Sequence, residues 1–125
     1  MAGYTPKVGD IFHYGNDENN RLHMTFILAI SDQEALIANF SKYYPGTDRT
    51  ITINVGSYPY ISEDSCIPYK FAEIIILKDL SHQIEHKNSI PHKLDQDQIT
   101  EYLRGLHSSP YTKPYIQTWC KRNGS

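Results

Sequence analysis

The sequence predicts a mainly β fold, a small antiparallel barrel with C-terminal helices. Three observations carry that expectation. Residues 21 to 42, "RLHMTFILAISDQEALIANFSK", hold two apolar runs around a short polar break, the pattern of a hairpin. "TITINV", residues 50 to 55, alternates strictly and is rich in β-branched residues, as a half-buried strand is. Beyond Lys78 the apolar period changes from two to that of a helix.

Taken in order, "VGDIFHY" (8 to 14) reads as a first strand led in by a Gly-Asp turn, and "GNDENN" (15 to 20) as a polar turn. Residues 22 to 31 and 34 to 41 are the two hairpin strands, joined at "SDQE". "YYPGTDR" is a loop around a Pro-Gly turn, and "GSYPYISEDS" is too rich in Gly, Pro and Ser for regular structure. "CIPYKFAEIIIL" (66 to 77) holds one or two strands, with Pro68 pointing to an edge or bulge at its start. "SHQIEH" reads as an exposed polar connector. In "LDQDQITEYLRGL", Ile99, Tyr102, Leu103 and Leu106 share one helical face behind an Asp95 cap, giving a helix at about 95 to 107 that "HSSP" stops. "TKPYIQTWCKR" reads as a short second helix with Pro114 in its first turn. The expected organisation is a single domain over 1–125, with a β-barrel core at 7–77 and a helical tail at 94–122. Phe26, Leu28, Ile30, Leu36, Ile74 and Leu77 are the expected core.

Composition narrows the function classes. A chain of 125 residues fits one domain and buries roughly two-thirds of its unfolded surface. Twelve Lys and Arg against 14 Asp and Glu leave a net charge of −2, so a nucleic acid would need basic residues gathered locally. The ten tyrosines either stack on bases or fill a β-rich core. With only two cysteines there is no disulfide framework, and a reducing cytoplasm is the expected compartment. "MAGYTPKVGDIF" lacks the charged and apolar regions of a signal peptide. The apolar runs fall far short of the roughly 20 residues of a membrane span.

With the strands in place, "KVGDIFHYG", "HMTFILAIS", "ALIANFSK" and "SCIPYKFAEI" together resemble the PemK/MazF-like family, SH3-like barrels that act as toxin endoribonucleases. The resemblance covers about residues 7 to 77 and lies mainly in strand order. It places His23 where the family has its catalytic Arg, and Ser41 near its catalytic Thr or Ser. The "Arg-Pro" that usually enters the second strand is "His-Met" here, with Arg21 two residues earlier. A "His…Asn-x-Ser…Ser-x-x-x-Tyr" pattern, also found in poorly characterised bacterial and phage proteins of that fold, falls on His23, Asn39, Ser41, Ser65 and Tyr69.

The resemblance implies metal-independent cleavage of single-stranded RNA, with no cofactor, by a homodimer held in check by an antitoxin protein. That chemistry needs a base, an acid and a donor for the charged phosphorane. An imidazole titrates near neutrality, so His23 suits acid or base, and Ser41 suits the donor. Arg21, Lys42, Arg49 and Lys70 are the candidate phosphate contacts, with Asn39, Ser65 and Tyr69 completing the substrate set. On alternation His23 shares its face with Thr25, Ile27 and Ala29, opposite the bulkier Met24, Phe26, Leu28 and Ile30, which puts it on the more accessible side. The competing reading makes His23 a strand-end histidine and the hydroxyls turn caps.

Other motifs carry less. His82, Glu85 and His86 match H-x-x-E-H, an inverted zincin pattern, but the segment is short and few residues remain to supply a third ligand and a cleft. No metal site is expected. Cys66 and Cys120 read as packed small hydrophobes. "NFS" is a formal sequon on a strand end, and no phosphate-binding Gly loop is present. Three function classes remain: an endoribonuclease, a non-catalytic SH3-like module binding a peptide or protein, and a metal-site protein built on His82 and His86.

Overall fold

The computed structural model describes residues 5–15, 23–84 and 89–125. Of these, 30% are helical and 31% are in strands, so the fold is mixed α/β and the mainly β expectation is corrected. Two open sheets replace the barrel. The larger is antiparallel and orders its strands β7-β3-β2-β1-β8: Glu73–Ile76, Glu34–Asn39, His23–Ser31, Asp10–Tyr14 and Ser89–Lys93. The smaller orders β4-β6-β5, which are Ser41–Lys42, Ser65–Cys66 and Thr52–Ile53. Three α-helices accompany them: α1 (Leu77–Gln83), α2 (Gln96–Ser108) and α3 (Pro114–Asn123).

Local competition for backbone groups explains why no barrel closes at 7–77. "TITINV" yields only the two-residue β5. On one side Asp48 takes the Thr50 N–H (3.0 Å) and hydroxyl (2.6 Å), and on the other Asp64 takes the Val55 N–H (2.9 Å). Carboxylates that bond nearby backbone offer it an alternative to the ladder. At the far end β7 does not run on through Leu77. Leu77, Leu80 and Ile84 repeat at helical spacing, and the chain turns into α1. The strands at the two ends of the larger sheet, β7 and β8, do not pair with each other.

The hairpin forms as expected. β2 and β3 pair from Thr25↔Asn39 to Ser31↔Glu34, and Asp32 at the turn takes φ +57°, a left-handed conformation that Asp tolerates. The expected single core becomes two, one on each face of the large sheet. Ile11, Phe26, Leu28, Leu36 and Ala38 face the main core, with Ile99, Tyr102, Leu106, Ile116 and Trp119 from α2 and α3. Phe12, Ile27, Ala35 and Ile37 face the second, closed by Leu80 and Ile84. A register shift between Ile27 and Ala29 reverses the alternation, so Ala29 joins the main core and Ile30 the second. Of the other expected core residues, Ile74 packs on the main core and Leu77 on the second.

α2 starts in a capping box, in which Gln98 N–H donates to the Asp95 carboxylate (2.8 Å) and Asp95 N–H to Gln98 Oε1 (2.9 Å). α3 opens on Pro114 and is tied to the sheet by Trp119 Nε1–H donating to Glu34 (3.1 Å). "SHQIEH" is not a connector at its start: His82 lies on α1, while Glu85 and His86 fall outside the described residues. No described helix is long and apolar enough to cross a membrane.

Candidate ligand-binding cleft

The second face of the large sheet is only half covered. Leu80 and Ile84 roof Phe12, Ile27, Ala35 and Ile37. Farther along the same strands the face carries polar side chains, and among the described residues no α-helix lies over it. Strand register brings them together: Tyr14 pairs with His23, Thr25 with Asn39, and Glu73 with Ile37. Paired residues in antiparallel strands point to the same face, so Tyr14, His23, Thr25, Asn39 and Glu73 share one surface. Ser41 joins them because the chain leaves β3 at Phe40, whose N–H still donates to Met24 O (2.9 Å), and enters the smaller sheet.

The result is a cleft of about 310 Å³, lined by these residues together with Ile37, Pro68 and Phe71. A second hollow of about 320 Å³ adjoins it and shares His23 and Ser41, with Lys42, Tyr60, Glu63 and Ser65 around it. His23 and Ser41 therefore stand on the divide between two concavities, at the junction of the two sheets.

Hydrogen bonding defines what the cleft has to offer. Thr25 Oγ1 donates to His23 O (3.0 Å), and Asn39 Nδ2 donates to Phe40 O (3.1 Å), which leaves the Asn39 amide oxygen as an acceptor. Among the described residues no hydrogen bond joins the His23 imidazole to Ser41 or Glu73, so no base–nucleophile pair is formed. The Tyr14 phenol is pushed above its ordinary pKa, first by burial, then by the charge and hydrogen bond of Glu73, with a smaller contribution from Asp79. It stays protonated at neutral pH.

The other residues expected at a site lie elsewhere. Lys42 pairs with Glu63 (3.7 Å) on exposed surface. Arg49 sits over the Tyr43 ring, 5.9 Å from its centroid, and Lys70 over the Phe71 ring at 5.0 Å. Ser65 borders the second hollow and donates to Glu63 O (2.8 Å). Tyr69 is fully buried and donates to Tyr102 O (2.7 Å), and burial drives its phenol far above the usual range. Arg21 lies outside the described residues. Of the tyrosines singled out near the polar edge, Tyr58 and Tyr60 stack on each other (5.5 Å, 6° between planes) and pack on the main core.

Sequence reasoning missed Tyr14, Thr25, Phe71 and Glu73. Glu73 had a signal, as a lone carboxylate interrupting "FAEIIIL". Tyr14 had a weaker one, two residues after the apolar Phe12 on the same face.

The fold overturns the nuclease assignment and the PemK/MazF-like resemblance with it, since both rest on a closed SH3-like barrel and the sheets are open. The SH3-like binding module falls for the same reason. Among the described residues there is also no group of three or more side chains able to hold a metal. Comparison of the chain with protein-family models, with curated proteins and with solved structures gives no match.

Proposed function

We propose that the protein binds a small molecule in the cleft where the two sheets meet. One observation carries the reading: the part of the sheet face that α1 leaves uncovered is a concavity of about 310 Å³ in which polar groups converge on an otherwise apolar wall. Small-molecule sites are usually clefts of about 300 Å³ or more, largely apolar, with a few placed polar groups. His23, Asn39 and Ser41 are the proposed polar contacts from the original candidate set, and Glu73 and Thr25 join them. The lack of a hydrogen bond between His23 and Ser41 favours binding over nucleophilic chemistry.

Fragment screening by ¹H–¹⁵N NMR tests this. Hits should shift the amides of Thr25, Ile37 and Asn39 together, and Ser41→Trp, which fills the mouth of the cleft, should abolish those shifts. Hits that cluster on another surface, or that survive Ser41→Trp unchanged, would overturn the reading.

A further inference from the structure

The ligand class can be argued from the same walls. Resting on the reading of the cleft as a small-ligand site, we propose that its occupant is a small organic cation with N–H donors, an alkylammonium or a guanidinium on an apolar body.

Among the described residues lining the cleft, Glu73 is the only carboxylate, and none is a lysine or arginine. Among the described residues no lysine or arginine comes within ion-pair distance of it. The neighbouring Tyr14 phenol, which Glu73 pushes further towards its protonated form, is neutral and offsets none of the carboxylate's charge. On its far side Glu73 borders a hollow that also holds Lys78, Asp79 and His82. The Asn39 amide, whose nitrogen donates to Phe40 O, adds its oxygen as a second acceptor. Among the described residues an anion would meet this carboxylate with no lysine or arginine lining the cleft to offset it: Lys42 pairs with Glu63, and Arg49 and Lys70 lie over the Tyr43 and Phe71 rings. A cation with N–H groups would gain charge-assisted hydrogen bonds. Ile37, Pro68 and Phe71 provide apolar wall for its carbon body.

Three probes of nearly equal shape separate the alternatives: benzylamine, benzyl alcohol and benzoate, titrated by NMR and calorimetry. Benzylamine should shift the Thr25 and Asn39 amides and bind roughly five- to tenfold more tightly than benzyl alcohol, the margin of a charged over a neutral hydrogen bond. Benzoate should bind weakest. Glu73→Gln should erase the preference for the amine over the alcohol. Phe71→Ala, at a side chain 59% exposed and so of little consequence for folding, should weaken all three probes alike. If benzyl alcohol or benzoate binds the cleft as tightly as the amine, or the preference persists in Glu73→Gln, the ligand class is wrong and the cleft stands. If no probe shifts the cleft amides, both readings fall.

Discussion

Asp48 shows how much one side chain organises. It is 6% exposed, and its carboxylate accepts from Thr50 N–H and hydroxyl, from Tyr69 N–H (3.3 Å) and from Ser109 hydroxyl (2.7 Å). It thereby ties the loop after β4, the turn at Tyr69–Phe71 and the end of α2 to one point. Burial alone would raise its pKa, but the four hydrogen bonds, those from Thr50 foremost, outweigh burial and hold it below the ordinary carboxylate value. A group whose folded pKa is lowered stabilises the fold above its unfolded pKa, about 4, and loses that contribution as pH falls through the lower folded value. Asp48→Asn should therefore cost on the order of 2 to 3 kcal/mol at pH 7. The gap between variant and parent should close in urea melts repeated at progressively acid pH. A gap that is the same at pH 7 and pH 2 would show that the ionised form contributes nothing.

At the scale of elements, α1 and α2 make opposite cases. Leu80, on the inner side of α1, is fully buried and closes the second core. Leu80→Ala should cost about 2 to 5 kcal/mol, as a core truncation does, and NMR should show the shifts of Phe12 and Ile37 moving with it. Asp95→Ala removes one half of a capping box and should cost about 1 kcal/mol, measured by thermal melting. Gly105 lies in the last turns of α2. In the structure a Cβ there would come within 2.5 Å of the Tyr69 hydroxyl and 2.6 Å of Ile51. Gly105→Ala should therefore destabilise the fold, although alanine raises helix propensity, and chemical denaturation reads the sign.

For the whole molecule the two sheets should differ in local stability. The large sheet has apolar cores on both faces, whereas the strands of the smaller sheet are two residues each. Few ladder bonds and exposed neighbours mark regions that open below the global unfolding energy. Hydrogen exchange should find Phe26, Ile27, Leu36 and Ile37 protected to near the global limit, and Lys42 and Ile53 exchanging much faster. Equal protection in the two sheets would contradict this.

The hairpin at 23 to 39, the Asp95 cap and the Pro-led last helix were legible because each is written in local spacing: alternation, an acidic residue just before a helical apolar period, a proline that fits N1. What the tertiary structure alone decided was how those pieces close. The expected strand at 50 to 55 shortened because Asp48 and Asp64, remote from any periodicity, took its backbone N–H groups. The strand at 73 to 76 gave way to α1 because burying Leu80 and Ile84 on the second sheet face outweighs extending an edge. A barrel and an open two-sided sheet share the same alternating strands, and they differ only in which edges meet, a fact set by long-range pairing that no short window contains. The site followed the same division. His23, Asn39 and Ser41 could be nominated from strand ends, but Glu73 and Tyr14 came beside them only through the β1–β2 and β3–β7 registers, which no short window of sequence contains.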